Sequence, residues 1–313
     1  DGFNLEDFYG DPKYYYSASY REFDTLRNDF FTANPITIDV KSLQRDELLV
    51  LSQSDTDLFN RFESGQIIMR EWILGQVKKK QRGEEIVQDA AISKAVGGSL
   101  EVASQDPAFC AEAITPPSVS QIIEYLEICD YETVYEVRDS LMSEIAQAYS
   151  QKLMAVYKQL ADELNRPESQ EYNAQNIAKR KLKNCVLNLL GYMGRESLSL
   201  IENQFSSAQN MTDEASALSI LINMSNDKND SQIESERQNA INIFYEKYKD
   251  DVLVMNKWLA IQASSKQGDV ISAVKSLLSH PAYDAKNPNK MRAVIGSFSR
   301  NYKYFHQKKF LML

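Results

Sequence analysis

Histidine is nearly absent from this chain: two residues, His280 and His306, among 313. A zincin site needs two imidazoles one helical turn apart, with a glutamate between them, to hold a metal and activate its water. Neither histidine has such a partner. Cysteine is as scarce, with Cys110, Cys129 and Cys185 at no paired spacing. Three thiols cannot pair fully, so a disulfide framework is not expected, and buried thiols in a reducing, cytoplasmic compartment are the simplest account. Only 11 glycines are present, and none builds a phosphate-cradling loop. No apolar run reaches the ~18 residues of a membrane span. The opening residues Asp1 to Glu6 carry no basic segment followed by an apolar one, so no signal peptide is read. The first residue is not Met, and we expect a piece of something longer.

Basic surplus is missing too. Lys plus Arg number 35 against 44 Asp plus Glu, a net charge of −9. That balance argues against nucleic acid. Two short basic clusters, Lys78-Lys79-Lys80 with Arg82 and Lys179-Arg180-Lys181 with Lys183, read as a helix C-terminus and a solvated helix face. Three Asn-x-Ser/Thr sequons, at Asn210, Asn223 and Asn229, read as chance in an Asn- and Ser-rich chain.

What is there is helical period. Residues 1–42 stand apart: they are aromatic-rich and carry one alternating stretch, Ile36 to Val40, that reads as a half-buried strand without a partner. From about Arg45 the period turns helical. Val119, Ile122, Ile123 and Leu126 recur at i, i+3, i+4, i+7, and the pattern runs on through Val134, Val137, Leu141 and Ile145 to Leu164. Later stripes include Met255-Trp258-Leu259 and Met291-Val294-Ile295-Phe298. Ser118-x-x-Gln121 and Ser231-x-x-Glu234 read as capping boxes, and Asn287-Pro288 as a cap followed by Pro at the first helical position. Gly97-Gly98, Arg166-Pro167 and Ser279-His280-Pro281 read as breaks. Helix starts are expected near 174, 195, 212, 232, 252, 269 and 288, roughly 20 residues apart. Pairs then recur at about 40, the period of HEAT-like arrays. The fold expected is all-α: a HEAT/armadillo-like superhelical array of short antiparallel helices, with an N-terminal extension carrying one orphan β-strand.

Six stretches, in order, resemble the C-terminal helical domain of zinc metallo-aminopeptidases of the aminopeptidase N (alanyl aminopeptidase) family, bacterial-type branch. They are Asp57 to Gln66; Phe109 to Val119, followed by Asp130 and Val137-Arg138; Ala178 to Leu187; Asn210 to Asp213 with Ala217-Leu218; Val254 to Ala263; and Asn287 to Arg292 with Ile295 to Phe298. The resemblance implies that residues 1–42 are the trailing segment and last strand of an upstream β-sandwich domain. It implies that residues 43–313 are the helical, solenoid-like domain, truncated at its C-terminus. In the family, zinc, H-E-x-x-H and the G-x-M-E-N loop that binds the substrate's free amino group lie upstream. None of them is in this chain, which should bind no cofactor and be inactive alone. Its implied partners are the parent's catalytic domain and short peptides in a shared cavity, with no nucleic acid and no membrane. The face left bare should promote self-association. Asn287, Asn289 and Arg292 are the candidate cavity-facing residues: a helix start offers N–H donors to a peptide carboxylate and Arg292 would pair with it. A capped helix start paired with solvent is the other reading of those three. The rival function is a free-standing helical-repeat protein-binding scaffold without peptidase activity.

Overall fold

The structure is a computed structural model that describes residues 43–166, 169, 172–225 and 230–307. The alternating stretch Ile36 to Val40 and Asn229 lie outside the described residues. From Arg45 on, every element among the described residues is helical. The helices are α1 (Arg45–Ser54), α2 (Leu58–Gln81), α3 (Ala90–Glu101), α4 (Pro107–Ala113), α5 (Val119–Ile123), α6 (Tyr131–Ala148), α7 (Ser150–Leu164) and α8 (Ala174–Gly191). They continue as α9 (Arg195–Ser207), α10 (Met211–Asn223), α11 (Ser231–Tyr248), α12 (Val252–Ala263) and α13 (Val270–Leu278). A composite segment follows: α14 (Pro288–Met291), a π-helical turn (Arg292–Gly296) and α15 (Ser297–Ser299). A last short helix, α16, spans Tyr302–Phe305. Among the described residues no helix is long and apolar enough to cross a membrane.

Starts are fixed by side chains that take orphan N–H groups. Asp57, Asp89, Asp106, Asp130, Asn173, Asn210, Asp251, Asp269 and Asn287 each cap a helix this way. The seven starts expected from 174 to 288 fall within one residue of those observed. Ser118 and Gln121 form the reciprocal capping box as expected. At α11 the cap is Asp230, not Ser231: its Oδ1 accepts the N–H of Gln232 at 2.9 Å, and Glu234 turns to Arg237 instead. Aspartate one residue earlier takes the donors first.

Two expected continuities break. The stripe from Val119 stops at Ile123, and Asp130 opens a new helix. A second interruption falls at Tyr149, between α6 and α7. The inward residues survive both: Val119, Ile122, Val134, Val137, Leu141, Ile145, Leu153 and Leu164 are all buried. One expected break is absent. Gly97 and Gly98 lie inside α3. A Cβ on Gly97 would sit 2.4 Å from the Tyr149 hydroxyl, and one on Gly98 would sit 3.2 Å from Gln53 Cγ. Gly97 is a notch into which Tyr149 packs, donating its hydroxyl to the Ser93 carbonyl, and Gly98 lets α1 approach at Gln53. That approach offsets the low helix propensity of glycine.

From α8 on, alternate helices pack side by side, which makes two layers, and α4 extends one of them. α4, α8, α10, α12 and the π-helical segment form one row; α9 and α11 lie along the other, with α7 and α13 packed on α8 and α12. The core between the rows is aliphatic, with Trp258 as a large anchor whose Nε1 donates to the Ile241 carbonyl at 3.0 Å.

One buried polar network crosses this core. Lys183 Nζ lies 2.6 Å from Asp213 Oδ2, with the two side chains 8% and 5% exposed. Asn184 and Asn210 donate to the same carboxylate at 2.7 and 3.0 Å. Gln204 donates to Asn184 Oδ1 and to the Asp213 carbonyl, and accepts from the Tyr157 hydroxyl at 3.0 Å. The network joins α7, α8, α9 and α10. The second basic cluster is therefore not a solvated face throughout: its Lys183 is structural. Lys179 pairs with Glu163 and Lys181 with Glu112, while Lys80 of the first cluster pairs with Glu136.

Candidate functional site

Many residues that carry the six motifs hold turns. Asp57 caps α2. Arg61 of α2 lies over the Phe109 ring, 5.2 Å from its centroid. Gln66 donates to the Thr115 carbonyl at 3.0 Å, and Arg138 donates through Nε to the Pro117 carbonyl at 2.8 Å. Together these lock the Pro116-Pro117 turn onto α2 and α6. The histidines and thiols are packing residues as well. His280 sits against Tyr245 and Trp258, and its Nδ1 accepts the Ala282 N–H at 3.1 Å. Burial pushes its pKa down. His306 stacks on Tyr131 at 4.6 Å. Burial pushes the Cys110 thiol up to about 12 and Cys185 up to about 11, far from nucleophilic thiolates. Among the described residues no three His, Cys, Asp or Glu side chains come together as a metal would need. Two of the sequons are occupied structurally. Asn210 caps α10, and Asn223 holds the backbone N–H of Lys266 at 2.9 Å.

The three candidate residues gather at the start of α14. Asn287 Oδ1 accepts the N–H groups of Asn289 and Lys290 at 2.9 and 3.4 Å. The helix start thus satisfies donors of its own. Asn289 and Arg292 are exposed, and Arg292 Nη1 reaches Asn289 Oδ1 only at 3.5 Å, leaving its guanidinium open to a better partner. Arg292 begins the π-helical turn, a feature enriched at functional sites. The wider turn also resets the apolar stripe. Val294 and Phe298 stay buried, while Met291 and Ile295, expected inward with them, are 46% and 42% exposed beside Arg292.

A second concave feature shares only Arg138 with the six motifs. A cavity of about 700 Å³ opens between α6, the α8–α9 turn, the end of α10 and the loop after α12. Its polar centre is Asp139, Tyr192 and Lys266. The Tyr192 hydroxyl donates to Asp139 Oδ1 at 2.9 Å, and Lys266 Nζ lies 3.6 Å from the same oxygen. Burial and the Asp139 charge push the Tyr192 phenol up. Burial, opposed by Asp139 and aided by Arg138, pulls the Lys266 ammonium down. The three residues come from segments far apart in sequence, and each alone reads as ordinary surface.

Residues 45–309 match the family described as "Domain of unknown function (DUF3458_C) ARM repeats". The chain belongs to this family. Its relatives include aminopeptidase N of Escherichia coli (strain K12), 29% identical over 269 residues, covering 85% of this chain and 29% of that protein. Aminopeptidase N of Caulobacter vibrioides is 30% identical over 253 residues, 80% of this chain and 27% of the relative. The solved structure of Legionella pneumophila aminopeptidase A in complex with aspartic acid superposes with a TM-score of 0.71 at 26% identity, covering 85% of this chain and 30% of that one. The chain thus spans about three tenths of the length of the relatives it matches, and they are the proteins that the six motifs resemble.

Proposed function

We propose that this chain is the non-catalytic helical domain of a zinc aminopeptidase that removes N-terminal amino acids from peptides, and that its array closes the substrate cavity over a catalytic domain. The observation that carries the reading is the continuous match to bacterial aminopeptidases N over at least four fifths of the chain. The residues here do not fit zinc: the two histidines are packed on aromatics 26 positions apart, 280 to 306. In this reading the metal and its general base belong to the catalytic domain, residues 1–42 end an upstream β-sandwich domain, and 43–313 form the helical one. The setting is cytoplasmic, in keeping with three free thiols. Exposed apolar side chains such as Val252 and Leu253 support a covered face, and the isolated chain should self-associate through such surface.

Within that cavity, Arg292 is assigned to the carboxylate end of the peptide, with Asn287 and Asn289 setting its position. Its exposed guanidinium, which among the described residues reaches only Asn289 Oδ1 at 3.5 Å, supports this. The test is Arg292→Ala in the intact enzyme. KM should rise for peptides with a free carboxylate and stay level for single-residue anilides, which have none. An equal change for both substrates rejects the assignment.

A further inference from the structure

We propose that the cavity between α6, the α8–α9 turn and the loop after α12 binds a free α-amino acid, its carboxylate on Lys266 and Lys303 and its amino group on Glu132. The proposal stands apart from the peptidase reading, since every residue in it is on this chain.

Lys266 is unlike the other ion-paired lysines. Lys80, Lys152, Lys179, Lys181, Lys183, Lys247 and Lys249 each reach a carboxylate at 2.7 Å or closer. Among the described residues, Lys266 Nζ has Asp139 at 3.6 Å, the Tyr192 hydroxyl at 3.5 Å and the Tyr135 ring at 5.6 Å. Charged donors favour oxygen partners near 2.8 Å. Here the best-placed carboxylate oxygen is already taken by Tyr192 at 2.9 Å. The side chain is 27% exposed, and what it is exposed to is the cavity.

The backbone that carries Lys266 is fixed by three side chains. Its N–H donates to Asn223 Oδ1 at 2.9 Å. Its carbonyl accepts the Tyr304 hydroxyl at 2.9 Å. The preceding carbonyl, of Ser265, accepts buried Asn301 Nδ2 at 2.7 Å. Three side chains, one from the end of α10 and two from α16 and its cap, thus hold a short loop whose Gly268 has φ +75°. An ordinary solvated lysine needs no such anchoring; a preorganised ammonium does.

The remaining walls complete a site for a zwitterion. Lys303 adds a second cation. Arg138 also faces the cavity, but its Nε and Nη2 are committed to the Pro117 and Pro116 carbonyls. Glu136 is neutralised by Lys80. Glu132 makes no ion pair within 4 Å among the described residues and supplies the negative pole. With Glu136 paired to Lys80 and Asp139 holding the Tyr192 hydroxyl, the lining offers Lys266 and Lys303 to an anionic group and Glu132 to a cationic one, a match for a ligand carrying both signs. The volume, about 700 Å³, lies in the range of small-molecule sites and exceeds what one ordered water needs.

The test uses the full 313-residue chain, thermal unfolding and each free proteinogenic amino acid at millimolar concentration, alongside the matching α-amides. At least one free acid should raise Tm, and its amide should lose the effect. Lys266→Met keeps the aliphatic stem and every backbone bond; affinity should fall roughly 10- to 100-fold, the loss of one charge-assisted hydrogen bond. Lys303→Met should weaken the same ligand less. The proposal is overturned if no amino acid shifts Tm, if amides act as well as acids, or if Lys266→Met binds as the parent does.

Discussion

Two lysine–aspartate pairs in this molecule teach opposite lessons. Lys183 and Asp213 are almost fully buried, 2.6 Å apart, with Asn184, Asn210 and Gln204 satisfying the remaining polar atoms around the carboxylate. Lys266 and Asp139 are 3.6 Å apart, 27% and 35% exposed, and open on a cavity. The first pair is closed on itself: charge is buried, and every partner comes from the fold. The second is left incomplete in a place where a ligand can enter. Saturation marks scaffold, and incompleteness on a fixed backbone marks a site.

The comparison breaks most visibly if the aspartates are removed. Asp213→Ala leaves the Lys183 ammonium buried without its counter-ion and should cost about 3–5 kcal/mol in urea unfolding. Asp139→Ala leaves Lys266 facing the cavity and should cost about 1 kcal/mol or less. Equal costs would erase the distinction. The tyrosines sharpen it at smaller scale. Tyr157→Phe strands the buried Gln204 Oε1 and should cost roughly 1–3 kcal/mol. Tyr192→Phe releases Asp139 to the cavity and should cost about 1 kcal/mol or less.

The smallest effect is one of pH. Burial lowers the folded-state pKa of Lys266 below its unfolded value. Between the two values the unfolded chain binds the extra proton, so stability rises with pH across that window. Below it, both states are charged and the penalty is constant. Lys266→Met should therefore be no less stable than the parent at neutral pH. Its advantage should shrink as pH climbs toward the ordinary lysine value. A clear loss of stability at neutral pH would mean that Lys266 is scaffold after all.

Fold was legible in the sequence where local chemistry decides it. Ser118 and Asn287 cap as their own side chains predict, and Ser231 misses by one residue only because Asp230 precedes it; the other starts, capped by Asn173, Asn210, Asp251 and Asp269, fall within a residue of the expected spacing. Longer reach was not legible. Gly97-Gly98 looks like a break until Tyr149, 52 positions beyond Gly97, is seen to fill the notch. The interruption at Tyr149 has no side-chain cap to announce it. Lys183 looked solvated because its counter-ion lies 30 residues away on another helix. Arg292 was visible through its motif, but the π-helical turn that carries it was not, since its residues keep an ordinary helical pattern. The Asp139, Tyr192 and Lys266 cluster had no sequence signal at all: three segments meet only once the rows have packed.

The central claim is that this array works as part of a zinc aminopeptidase. Peptide mapping by mass spectrometry of the natural polypeptide, captured with an antibody to this chain, tests it most directly. The account predicts a band much larger than this chain, yielding peptides that contain H-E-x-x-H. A band no larger than the chain itself, with no such peptide, would contradict it and leave a free-standing helical scaffold.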